Sequence, residues 1–120
     1  MEDHSGLHGY EGDDFYCDVA IPHSQALEIV FEDEHILAFQ HTRPFWQTHI
    51  VAVPKRHIAS LTTVTEADAD LMRRLLTVVQ SIARDVEERT GAAAVLTNLG
   101  RYQDSKHLHV HVHSGAMLSS

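Results

Sequence analysis

From Glu28 onward the spacing of apolar and polar residues names one element after another. Glu28 to Asp33 and Ile36 to Gln40 are β-rich runs parted by the polar Asp33-Glu34-His35, which predicts a hairpin. His41 to Trp46, with Pro44 inside it, reads as a loop, and Thr48 to Val53 as a third strand ended by Pro54. Thr65 is a candidate N-cap with Asp68 three residues on; beyond it Leu71, Leu75, Val78, Val79, Ile82 and Val86 recur at helical spacing as far as Gly91. This is one long amphipathic helix, its apolar stripe facing a sheet and Arg73, Arg74, Arg84 and Arg89 facing water. Ala92 to Asn98 predicts a fourth strand, Leu99 to Lys106 a polar loop, and His107 to His113 a fifth strand expected to end at Ser114-Gly115. The order β-β-β-α-β-β predicts an α+β domain: a five-stranded antiparallel sheet with one long helix packed on it.

The fifth strand carries the chemistry. In His107-Leu108-His109-Val110-His111-Val112-His113 a period of two puts every imidazole on one face and Leu108, Val110 and Val112 on the other, the core. Histidine's ordinary pKa of about 6.5 lets it act at neutral pH as nucleophile, acid, base or metal ligand. Surface histidines on an edge strand would not need an apolar residue at each intervening position. A metal site is the stronger rival, because same-face imidazoles can chelate zinc, copper or nickel.

Composition narrows the setting. The 120 residues make one domain, and 43% apolar with 22% charged residues is ordinary globular usage. No apolar run approaches the roughly 18 residues of a membrane span. Met1 to Asp14 is acidic and rich in Gly and His, without the features of an export signal, so a loose tail over residues 1–14, a domain over 15–115 and a short tail over 116–120 are expected. Cys17 is the single cysteine, which excludes an intrachain disulfide and a multi-cysteine zinc cage and fits a reducing, cytoplasmic compartment. The formal charge of −8 is the wrong sign for a nucleic-acid binder, and neither nucleic acid nor membrane is an expected partner. A small anionic ligand needs only a local site.

The histidine row matches the pattern His-φ-His-φ-His-φ-φ, φ being apolar, with His113 in place of the last φ. Ile29-Val30-Phe31-Glu32-Asp33, Leu37-Ala38-Phe39, and Thr48-His49-Ile50-Val51-Ala52-Val53-Pro54-Lys55-Arg56-His57-Ile58 precede it in matching order and spacing. Across roughly residues 15 to 115 the chain resembles the histidine triad (HIT) superfamily. It looks closest to the small, single-domain, nucleotide-binding (HINT-like) branch, since the longer sugar-nucleotide transferases carry Gln where this chain has His111. The resemblance implies the HIT fold, a homodimer in which two five-stranded sheets join, and activity on nucleotides substituted at the α-phosphate. It further implies that His109 is the nucleophile, that the His107 carbonyl orients its ring, that His111 contacts the phosphoryl oxygens and leaving group, and that His49 is a fourth active-site histidine. Phe39, His41, Asn98, Gln103 and Ser105 would contact the nucleotide.

The residues support that chemistry independently. Neutral imidazole can attack phosphorus without prior deprotonation, and the P–N bond formed is labile to water. A neighbouring imidazole is suited to protonate the leaving amine or alcohol and later to activate water: His111, or alternatively His49. The expected function is a hydrolase or transferase cleaving a substituted nucleoside 5′-monophosphate, a phosphoramidate above all, through a nucleotidyl-histidine. The alternative is a nucleotide- or metal-binding module without turnover.

Three positions depart from the family pattern. His41, followed by Thr42-Arg43-Pro44, stands where relatives have an aspartate that binds both ribose hydroxyls; a neutral imidazole offers one acceptor nitrogen, so weak discrimination against deoxyribose is expected. Asp104 stands where relatives place Ser or Thr after Gln103; either it points away and Ser105 supplies the hydroxyl, or Lys106 balances its charge. His113 is expected to be a solvent-exposed strand-end residue. Some bacterial relatives bind structural zinc through paired cysteines with His49-like and His107-like ligands. Cys17 alone leaves that set incomplete, so no metal and no cofactor are expected.

Overall fold

The computed structural model describes residues 12–118. Residues 1–11 of the expected N-terminal tail and the last two of the C-terminal tail lie outside the described residues. Strands β1 (Ile29–Glu32), β2 (Ile36–Gln40), β3 (Trp46–Pro54), β4 (Ala94–Leu96) and β5 (Val110–Met117) form an antiparallel sheet in the order β1-β2-β3-β5-β4, with helix α1 (Ala69–Thr90) between β3 and β4. The α+β architecture expected from the periodicity is the one that forms.

Local chemistry explains the boundaries. At the β1–β2 turn the Asp33 carboxylate accepts the backbone N–H groups of His35 and Ile36, at 2.7 and 2.8 Å, which replaces an Asn-Gly turn. Thr65 and Asp68 cap each other at a 3₁₀ turn, Glu66–Asp68, that leads into α1, and Gly91 ends the helix with a φ of +93°, a left-handed conformation that favours glycine.

The triad strand differs from expectation at both ends. Its ladder with β3 begins at Val110, not His107, because the register places Pro54, which has no N–H, opposite Leu108. The Leu108 N–H bonds the Ile58 carbonyl instead, at 2.6 Å. At the other end β5 runs on to Met117, past the expected stop at Ser114-Gly115. Gly115, at a φ of +85°, sits in a register shift between the Thr48–Ser114 and Trp46–Met117 pairs, so the glycine is a bulge and not a breaker. β4 is shorter than Ala92 to Asn98.

Two apolar layers flank the sheet. Leu71, Leu75, Val78, Val79, Ile82 and Val86 of α1 pack on Ile36, Ala38, Ile50, Ala52, Leu108 and Val112. The opposite face is not histidine alone, as the alternation suggested: Tyr16 and Ala20, from a π-helical turn at Tyr16–Ala20, cover Leu37, Phe39, Val51 and Val53. The imidazoles occupy the remainder of that face.

Candidate active site

A pocket of about 370 Å³ opens on the histidine face. Phe39, His41, Asn98, Ser105, His109 and His111 line it, walled by Phe15 and Tyr16 on one side and Phe45 and Trp46 on the other. Three of the expected site residues lie elsewhere. The Gln103 amide donates to the Ala59 carbonyl at 2.6 Å and holds the loop, while His49 and His107 are buried behind the lining. Asp104 and Ser105 both line the pocket, and the Ser105 hydroxyl accepts the Phe15 N–H at 2.9 Å. Lys106 turns its ammonium to the carbonyls of Gly100 and Gln103 rather than toward Asp104.

Hydrogen bonds assign a proton to each ring. His109 Nδ1 lies 2.7 Å from the His107 carbonyl, which can only accept, so Nδ1 is protonated and Nε2 keeps its lone pair. His49 Nδ1 accepts the Phe45 N–H at 3.0 Å; its proton is therefore on Nε2 and is donated to His111 Nδ1 at 2.9 Å. His111, accepting at Nδ1, carries its own proton on Nε2. His41 Nδ1 accepts the Arg43 N–H at 3.0 Å, so its one acceptor nitrogen is taken and it presents an N–H. The ring stacks on His49 with centroids 4.2 Å apart.

Burial sets the charge of these rings. It lowers the pKa of His109, against the raising effect of the His107 carbonyl. His111 is pushed down to about 3 by burial and then by His109, His49 and His113, and His49 to about 4 by burial and His113. His41 falls to about 3, again through burial first and then its histidine neighbours and Arg43. His41, His49 and His111 each bring a nitrogen within 4.8 Å of the others, but the two bonds of His49 leave it no free lone pair, so the trio is a hydrogen-bonded stack and not a chelate. His113 is not a bare strand-end residue: it stacks on Trp46 at 3.6 Å and 10°.

Behind His109 lies a second cluster that sequence reasoning missed. Asp14, Cys17, His57 and His107 each place a ligand atom within 4.8 Å of the others. The expectation of no metal rests on Cys17 as a lone N-terminal ligand; Asp14 and His57 stand beside it as further groups that could hold an ion, and His49 belongs elsewhere, bonded to His111. The donors suit zinc: one thiol, one carboxylate and two imidazoles. His107 Nε2 bonds the Pro54 carbonyl at 2.7 Å, so its Nδ1 lone pair points at Asp14 Oδ2, 3.1 Å away, and at Cys17 Sγ, 3.3 Å away. Two signals mark this set in the sequence: Asp14 and Cys17 stand three apart, one turn of helix, and His57 stands at the exit of β3.

Sheet, helix and alternating imidazoles define a small α+β domain with a histidine-built site. Residues 14–120 match the family model described as "Scavenger mRNA decapping enzyme C-term binding". An uncharacterized HIT-like protein of Chlamydia muridarum is 33% identical over 92 residues, 76% of this chain and 73% of that one. A HIT family hydrolase of Legionella pneumophila superposes with a TM-score of 0.74 at 28% identity, covering 88% of this chain and 96% of the other. A hypothetical histidine triad nucleotide-binding protein of Sulfolobus tokodaii gives a TM-score of 0.72 at 27% identity, with 83% and 67% covered. The chain belongs to the histidine triad superfamily and has the fold of its hydrolases.

Proposed function

We propose that this protein is a nucleotide-binding hydrolase or transferase that cleaves a substituted nucleoside 5′-monophosphate, preferentially a phosphoramidate, through a covalent nucleotidyl-His109. The observation that carries this reading is the 2.7 Å bond from His109 Nδ1–H to the His107 carbonyl, which leaves Nε2 as a nucleophile at the pocket wall. Attack forms a P–Nε2 bond and breaks the bond from phosphorus to the leaving group. Nδ1 stays protonated, so the intermediate is a phosphoryl-imidazolium, steadied by the His107 carbonyl. Water or another acceptor then attacks phosphorus and His109 departs as neutral imidazole, the acceptor's proton passing to solvent.

His111 meets the phosphoryl oxygen or departing nitrogen with its Nε2–H. Full transfer from a neutral ring would leave an imidazolate, so its task is donating a hydrogen bond, and the departing amine leaves from the N-protonated form of the substrate. This favours an amine over an alkoxide as leaving group. Asn98 supplies a further amide donor from the pocket wall. With the acceptor nitrogen of His41 already bonded, the sugar site reads a diol poorly, so ribo- and 2′-deoxyribonucleotide conjugates should differ less than about tenfold in kcat/KM. The names of the Legionella and Sulfolobus proteins, a hydrolase and a nucleotide-binding protein, agree with this assignment.

A homodimer and a cytoplasmic setting complete the proposal. Leu76 and Val95, 59% and 50% exposed, flank a shallow hollow with Met72 and Val79 on the helix side of the short β4, where a second copy would extend the sheet. Among the described residues no helix is long and apolar enough to cross a membrane. The deciding experiment incubates the protein with adenosine 5′-phosphoramidate, measures released AMP, and quenches during turnover for mass spectrometry. A nucleotidyl adduct on His109 is expected. Absence of both AMP and adduct would leave the binding-module reading.

A further inference from the structure

We propose that His41, Thr42 and Arg43 form a second anion subsite in the pocket, one that takes a phosphoryl group carried on the 2′ or 3′ oxygen of the substrate's ribose, so that the substrate class is a nucleoside bisphosphate substituted at its 5′ phosphate. This inference rests on the reading above that sets the sugar against His41. All three residues line the same pocket as His109 and His111. Each brings a donor: an imidazole N–H, a hydroxyl and a guanidinium.

The polarity of this end follows from its hydrogen bonds. His41 Nδ1 accepts the Arg43 N–H at 3.0 Å, so the ring's proton is on Nε2, and among the described residues no acceptor meets it. Burial first, then the neighbouring histidines and Arg43, hold the ring's pKa at about 3, so it remains a neutral donor. A ribose diol gains little from such a site, because a group that binds both hydroxyls as donors must accept. A phosphate offers acceptors. The same exchange of partners separates the two kinds of dinucleotide site in other folds, where an acidic side chain takes the free 2′ hydroxyl and an arginine takes a 2′ phosphate.

The subsite is preformed. The His41 N–H donates to the His49 carbonyl at 2.8 Å and the Phe45 N–H to His49 Nδ1 at 3.0 Å, so the buried His49 holds the loop at both ends, and the Arg43 N–H closes it in between. Pro44 further restricts the backbone of Arg43 before it. A loop tied in this way loses little freedom on binding. Charge is divided along the pocket: Asp104, the one carboxylate among its described lining residues, acts on Tyr16 and His109, while Arg43 acts on His41. The chain's formal charge of −8 disfavours anions in general, so an added phosphate gains affinity only from a local set of donors.

The test is equilibrium binding to the full chain without turnover, read by quenching of Trp46, the single tryptophan and part of the pocket wall. The probes are AMP, adenosine 2′,5′-bisphosphate, adenosine 3′,5′-bisphosphate, and ADP, which carries the same added phosphate on the 5′ side. At least one bisphosphate should bind about tenfold or more tighter than AMP and ADP, with a preference that shrinks as salt is raised. Arg43→Ala should reduce that preference to below about threefold, Arg43→Lys should recover part of it, and His41→Asp should reverse it in favour of AMP by placing a carboxylate where the phosphate would sit. Failure of the proposed reaction has a different signature, absent AMP release with this binding preference intact. Bisphosphates no tighter than AMP, ADP as tight as the better bisphosphate, or a preference that survives both Arg43→Ala and His41→Asp would each overturn the proposal.

Discussion

Mild acid should unfold this protein through the buried imidazoles of the histidine face. His41 and His111 are held at about 3 and His49 at about 4, against about 6.5 for histidine in an unfolded chain. The folded rings stay neutral while the unfolded ones take up protons, so between those limits the unfolded state binds more protons and stability falls as the pH falls. Going from about pH 7 to about pH 5, each ring contributes a loss of about 2 kcal/mol, and the three together about 6 kcal/mol, comparable with the whole stability of a small domain. Glu32, Asp33 and Asp68, lowered respectively by Lys55, by the backbone N–H groups of His35 and Ile36, and by the Thr65 N–H followed by Arg56, are charged in both states over most of this window and act only below it. The assay is urea unfolding followed by circular dichroism at each pH, with EDTA throughout to remove any metal contribution. At about 1–3 kcal/mol per molar urea the midpoint should fall by about 2 M or more. His41→Asn should reduce the pH dependence by about 2 kcal/mol. A wild-type loss below about 2 kcal/mol, or a His41→Asn variant with the wild-type slope, would refute the argument that these rings are buried neutral.

His109→Gln should lower kcat/KM by more than about 10³-fold with little change in Tm, since Leu108 and Val110 supply the neighbouring burial; near wild-type turnover in the AMP assay would remove His109 as nucleophile. His49→Ala strips the donor from His111 and the acceptor from Phe45, so kcat should fall about 10–100-fold at similar KM, with about 1–3 kcal/mol of stability lost in urea titrations. Gly115→Ala should cost about 1–3 kcal/mol, because φ is +85° and a Cβ would collide with the Gln47 side chain; an unchanged Tm would argue against the bulge. Leu75→Ala, fully buried beneath the sheet, should cost about 2–5 kcal/mol in the same assay.

Periodicity carried the architecture because burial is what periodicity records. The stripe from Leu71 to Val86 and the alternation of Leu108, Val110 and Val112 with histidine both describe a surface turned to one core, and the structure packs those two surfaces against each other. Ladder ends were less legible, since they depend on a partner strand: nothing near His107 signals that Pro54 lies opposite Leu108, and Gly115 reads equally as stop or bulge. The Asp14–Cys17–His57–His107 cluster joins three distant stretches of chain, so beyond the Asp14–Cys17 spacing its members carry no shared local pattern. Asp14 in particular sits where acidic, glycine-rich composition describes a tail, and its spacing of three from Cys17 gains meaning only through its contacts with Cys17, His57 and His107.

The same side chain, repeated at every second position, ends in separate roles because each ring is tied by a different atom. His107 gives Nε2–H to Pro54 and turns Nδ1 to Asp14 and Cys17; His109 gives Nδ1–H to the His107 carbonyl and turns Nε2 to the pocket; His111 accepts at Nδ1 from His49 and so presents an N–H; His113 stacks on Trp46. Alternation decides the face, and the partner of the second nitrogen decides the chemistry. His107 joins the two clusters, its ring beside Asp14 and Cys17 and its carbonyl on the His109 ring. A shift of that one residue therefore moves the acceptor that sets the His109 tautomer, through a single 2.7 Å hydrogen bond.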